Sequence, residues 1–102
     1  MKGKIQIDIP REKIEEFCRR HRIRKFSVFG SVLRDDFRLD SDVDVLVEFE
    51  PEAKLSLFDL VHIEEELAEL LHRTVDLVEA AAIRNPFRRA EIMRTQEVIF
   101  AA

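Results

Sequence analysis

Apolar and polar residues alternate along this chain with two periods, and the switches between them mark out its elements. Ile14, Phe17, Cys18 and His21 recur at i, i+3, i+4 and i+7, one face of a helix that begins at Pro10 and runs to about Arg22. Proline suits that start, because the first helical N–H has no partner to lose. Lys25 to Phe29 reads as a short strand, with Phe26 and Val28 on one face and Ser27 and Phe29 on the other. Gly30 ends it, Ser31 stands at a candidate helix N-terminus, and Arg34 to Asp40 is charged and loop-like. From Asp42 to Glu50 the period is two: Val43, Val45, Val47 and Phe49 alternate with Asp42, Asp44, Leu46 and Glu48, and Pro51 closes the strand.

Further on, Ser56 and Asp59 have the spacing of a capping box, with Asp in place of Glu. Leu57, Leu60, Val61, Leu67, Leu70 and Leu71 then carry an apolar stripe to His72, which reads as core or as a face shared with another subunit. Thr74 to Glu79 reads as a short buried strand containing Asp76. Asn85 and Pro86 look like the N-cap and first position of another helix, and Val98 to Phe100 like a final edge strand. This order predicts an α/β (α+β) fold, a small mixed β-sheet with helices packed on it.

Composition narrows the function classes. The 102 residues suit a single domain, 1–102, with one modest core. Charged residues make up 37% and the net charge is −4, which argues against a nucleic-acid binder. The lone Cys18 cannot form an internal disulfide and falls on a helix's apolar face, as a core residue would. With no signal-like start and no membrane-length apolar run, the expected location is cytoplasmic. There is no Tyr, which excludes a tyrosine nucleophile or self-modification on tyrosine.

The chemistry concentrates in carboxylates. Asp42 and Asp44 are two apart in a strand, so both leave one face with Cα atoms roughly 6.6 Å apart. Chance alone supplies an Asp-x-Asp roughly 0.6 times in a chain with eight Asp, so position carries the argument. The pair follows Gly30-Ser31 by twelve residues, and Asp76 lies in a later apolar strand, where Asp is depleted. Carboxylates beside a core are costly without a cation, and Mg²⁺ is a hard ion that prefers oxygen and brings phosphates with it. Gly30 lets a phosphate approach the backbone, and Ser31 can add a hydrogen bond.

At these residues the sequence resembles the nucleotidyltransferase superfamily related to DNA polymerase beta. The motif stands as FGSVLRDDFRLDSDVDVLVEF over residues 29–49, with Asp76 in TVDLV. Length and motif together resemble the minimal nucleotidyltransferases, the MNT-type antitoxins of HEPN–MNT toxin–antitoxin pairs. The resemblance implies that Asp42 and Asp44 hold two Mg²⁺ on ATP and that Gly30, Ser31 and Arg34 serve the triphosphate. It implies that Asp76 binds the second metal and helps activate the attacking hydroxyl. It further implies AMP transfer to a Tyr of a partner HEPN RNase toxin. Many relatives have Ala-Arg-Gly where this chain has Leu33-Arg34-Asp35; Arg34 keeps the Arg, and Asp35 replaces the Gly.

Two alternatives stand beside that reading. One is an antitoxin that neutralises the toxin by binding alone; the other is a small-molecule nucleotidyltransferase, whose acceptor pocket needs chain beyond these residues. The basic run at 19–25 reads first as cations opposing a helix C-terminal dipole, second as a docking face for a partner's acidic surface and third as an RNA contact, and a homo- or hetero-oligomer stays open. Arg88 and Arg89 are candidate phosphate contacts or solvated cations. His21, His62 and His72 have no metal-ligand spacing, and Ser31 is not in a hydrolase elbow.

Overall fold

The computed structural model describes residues 5, 7–35, 37–38 and 40–102. Of the loop expected between Arg34 and Asp40, positions 36 and 39 lie outside them. Helix α1 spans Arg11–Arg20, strand β1 Ile23–Phe29, β2 Val43–Phe49, helix α2 Leu57–Leu71, β3 Val75–Glu79, α3 Pro86–Thr95 and β4 Glu97–Ala101. Short 3-10 turns follow β1 at Gly30–Leu33 and β3 at Ala80–Ala82.

The sheet order is β3-β2-β1-β4. β1 is antiparallel to both β2 and β4, while β2 and β3 run parallel, joined by α2 as the crossover. Alternation in β2 sorts the two faces. Val43, Val45 and Val47 join Phe26, Val28 and Val75 in a core closed by Ile14, Phe17 and Cys18 of α1 and Ile63, Leu67 and Leu71 of α2. On the opposite face Leu46 and Phe29 pack with Ala80, Ile83 and Ile92 of α3. The mixed sheet and the strand and helix order expected from the sequence are all present.

Two expectations change. Helix α2 carries the capping box, Ser56 accepting from the Asp59 N–H and Asp59 from the Ser56 N–H. Its buried line, however, is Ile63, Leu67 and Leu71, and Leu57 and Val61 are exposed. At 100° per residue Val61 sits about 200° from Ile63, so a leucine-rich segment is not one stripe. β3 is an edge strand, and of it only Val75 is buried, so Thr74 to Glu79 is not the buried strand expected.

The basic run at 19–25 is largely ion-paired. Arg19 meets Glu15, Arg20 and His21 both meet Glu66 of α2, and Arg24 and Lys25 meet Glu48 of β2. Cys18 is buried beside them, and burial pushes its thiol up to about 12, an inert core group.

Candidate active site

The sheet register brings the aspartates together. Phe29 at the end of β1 lies opposite Asp44 of β2, and Asp44 lies opposite Asp76 of β3. Opposed residues on neighbouring strands share a face about 4.8 Å apart, so these two carboxylates are side by side. Asp42 sits just ahead of β2. Asp44 is half-buried, whereas Asp42 and Asp76 are exposed. The expectation of a buried Asp76 fails because its strand has a neighbour on one side only.

Electrostatics reports the same convergence. Burial, then Asp76, then Asp42 push the Asp44 carboxyl above its ordinary value, while Arg34 and Arg88 pull it back down. Five charged groups thus act on one another at this end of the sheet. Arg34 is the triphosphate residue that the family resemblance implies, and Arg88 is one of the two arginines that the sequence offers as phosphate contacts or solvated cations. Asn85 is the residue that places Arg88: its side chain accepts from the Phe87 and Arg88 N–H groups and caps α3, fixing Arg88 in the first turn. Arg89 turns away to donate to the Ala80 carbonyl at 2.6 Å.

Gly30 is required twice over. Its φ is +73°, and a Cβ built there would overlap the Asp44 Oδ2. The Asp44 carboxylate therefore lies against bare backbone. Ser31 lies second in the 3-10 turn Gly30–Leu33, where the sequence offers a candidate helix N-terminus, and its hydroxyl donates to the Asp42 carbonyl at 3.5 Å, the outer limit of a hydrogen bond. Asp35 is exposed just beyond.

One contributor escaped the sequence reading. Arg73 donates to the carbonyls of Arg38, at 2.6 Å, and Ser41, at 3.1 Å, and its guanidinium covers the Phe37 ring 4.5 Å away. It thereby ties the segment entering Asp42 to the start of β3. A single Arg before a strand carries no motif; the left-handed His72 (φ 56°) ending α2 is the backbone feature that turns the chain into Arg73.

The donor set suits a hard divalent cation: oxygens from three aspartates, mutually repelling, beside a glycine with no side chain. Among the described residues no three acidic, imidazole or thiol side chains are already drawn together as a metal site. Like charges explain that spacing, since the carboxylates repel one another and Arg34 and Arg88 offset that repulsion on Asp44 only in part.

Comparison with known proteins points the same way. A family model described as Nucleotidyltransferase domain matches residues 10–98. Protein adenylyltransferase MntA of Thermococcus cleftensis is 35% identical over 86 residues, covering 84% of this chain and 82% of its own. A solved structure assigned as a minimal nucleotidyltransferase is 36% identical, with a TM-score of 0.71 over 85% of this chain and 86% of that one. A complex of tri-AMPylated Shewanella oneidensis HEPN toxin with MNT antitoxin shares the fold, with a TM-score of 0.65 at 19% identity over 90% of this chain and 70% of that one. The paired aspartates, the strand-ending Gly-Ser and the family match agree, and this chain belongs to the nucleotidyltransferase domain family.

Proposed function

We propose that this chain transfers AMP from ATP to a tyrosine hydroxyl of a partner HEPN RNase toxin in the cytoplasm, and so acts as its antitoxin. In that reading residues 1–102 work as a single minimal domain. The observation that carries the assignment is the register of Asp44 opposite Asp76, with Gly30 bare beside them. Support for the acceptor comes from the 35%-identical relative named as a protein adenylyltransferase. The absence of tyrosine from this chain places such an acceptor on another molecule.

Asp42 and Asp44 would hold Mg²⁺, and Asp76 would join a second ion. Bound there, the divalent ions supply charge neutralisation on the triphosphate and on pyrophosphate as it leaves. The open backbone at Gly30 and Ser31 admits the phosphates, and Arg34 balances their charge. The tyrosine oxygen bonds to the α-phosphorus while the bond from that phosphorus to the β-phosphate bridging oxygen breaks. Pyrophosphate departs, and Asp76, exposed at the sheet edge, accepts the hydroxyl proton.

The test is transfer of label from α-labelled ATP to the co-expressed partner toxin with Mg²⁺, with Asp44→Asn alongside. A labelled toxin band that disappears in the variant is expected. Toxin neutralised equally by wild type and Asp44→Asn, with no label in either, overturns catalysis in favour of an antitoxin that acts by binding.

A further inference from the structure

The face of β2 that carries Asp44 is the one helix α3 covers. Asp44 and Leu46 are two apart in the strand, and Leu46 shares its buried cluster with Ile92 of α3. Arg88 stands one turn before Ile92 and about 40° from it around the helix, so both side chains leave on the sheet side. From that cluster one strand step leads to Asp44 and one helix turn to Arg88, each roughly 6 Å long. The pull of Arg88 on the Asp44 carboxyl places the ends of the two steps within reach of each other.

Arg88 differs from the other arginines of α3 in having nothing else to hold. Arg89 donates to the Ala80 carbonyl, and Arg94 pairs with Glu91. Arg88 is exposed, and among the described residues its side chain has no hydrogen bond or ion pair beyond the attraction to Asp44. Its backbone is fixed all the same, by the Asn85 cap and the Arg89 tie. A long arm on a firm base can change partners without disturbing the fold.

A divalent ion on Asp44 reverses the field that Arg88 meets. The carboxylate that attracts the guanidinium is then neutralised, and the charge of the ion repels it. The next anion for the arm is a nucleotide's phosphate chain, whose oxygens match the planar donors of arginine. We infer that Arg88 exchanges partners as the site fills: it balances Asp44 in the metal-free protein, yields that carboxylate to the metal, and then binds the phosphates of the nucleotide. The second half rests on the proposed nucleotide substrate; the first stands without it.

Two titrations test the halves and carry opposite signs. Mg²⁺ without nucleotide, followed through the amide NMR shifts of Asp44 and Asp76, should bind Arg88→Ala roughly threefold more tightly than wild type, since a competing cation has gone. An ATP analogue with an uncleavable α–β bridge, titrated calorimetrically in saturating Mg²⁺, should bind the same variant at least roughly tenfold more weakly. Arg88→Lys keeps the charge but not the fork, and should restore the wild-type Mg²⁺ affinity while recovering the analogue only in part. Arg94→Ala should change neither. A residue that merely props α3 would weaken both ligands or neither. Mg²⁺ affinity that falls or stays level in Arg88→Ala, or an analogue bound as tightly as by wild type, overturns the inference. A wild type that takes up Mg²⁺ but no analogue overturns the proposed function and the second half together, while a gain of Mg²⁺ affinity in Arg88→Ala still upholds the first.

Discussion

The two ends of β1 handle charge in opposite ways. At the Ile23 end two carboxylates meet cations: Glu66 accepts from Arg20 at 2.6 Å and contacts His21 at 3.0 Å, and Glu48 faces Arg24 and Lys25. Hydrogen bonding to Arg20 and His21 holds the Glu66 carboxyl below the ordinary range despite partial desolvation. At the Phe29 end burial and two neighbouring carboxylates hold Asp44 above it. Similar side chains thus serve opposite ends. One set fastens α1 and β1 to α2 and β2; the other keeps an unfavourable concentration of negative charge that a bound cation relieves.

The largest expected effect falls at the Phe29 end, the seat of the proposed transfer. Asp44→Asn should lower AMP transfer on the order of 10³-fold or more, measured as label incorporated per minute. The same change should raise the thermal midpoint of the metal-free protein at pH 7. Because the folded-state pKa of Asp44 is raised, its ionisation opposes folding, and the penalty sets in as pH climbs through the ordinary carboxylate value and the higher folded one. The gain should therefore vanish below about pH 3.5, where Asp44 is protonated in both states. Added Mg²⁺ should stabilise the wild type and have much less effect on the variant. A metal-free Asp44→Asn protein that melts below wild type at pH 7 contradicts this account.

Gly30→Ala should come next. The added Cβ meets a positive φ, costing about 1–2 kcal/mol, and displaces the Asp44 carboxylate, for an activity loss on the order of 10²-fold. Urea unfolding with single-turnover transfer separates the two effects. Unchanged activity would mean that Asp44 does not work from this position.

The smallest effect sharpens the other end. Glu66→Gln should cost no more than about 1 kcal/mol at pH 7, since the pair is substantially solvent-exposed. The folded pKa of Glu66 is lowered, so its contribution exists above the ordinary glutamate value of about 4.3 and is lost as pH falls through the folded one. Wild type and variant should converge once pH falls below the folded value. Transfer activity should not change at any pH where both are folded.

Local patterns carried most of the fold. The Ile14, Phe17, Cys18 spacing and the alternation in β2 each depend on a few neighbouring residues, and both elements bury the face expected. The Gly-Ser to Asp-x-Asp spacing was equally readable, and its residues meet because β1 and β2 are adjacent antiparallel strands. Strand order was not readable, and the misses follow from it. That β3 lies at an edge decides the exposure of Asp76, and no feature within TVDLV encodes it. Which side of α2 faces the sheet likewise depends on packing against β3, and Leu57 is as hydrophobic as Leu67. The Arg73 clamp spans 32 residues to Ser41 and has no local signature.

The parallel pairing of β2 with β3 has a consequence for how the site comes and goes in time. Asp42 and Asp44 are neighbours along the chain, but Asp76 reaches them only after the whole of α2 has closed the crossover, a costly long-range contact made late. Being held on one side only, β3, like β4, is also placed to detach before the two central strands in a partial opening. Amide exchange should therefore be faster at Asp76 and Leu77 than at Val45 and Val47. If nucleotide and metal bridge the two strands, their binding should slow exchange most at β3, making the occupied site a clasp on one edge seam of the sheet.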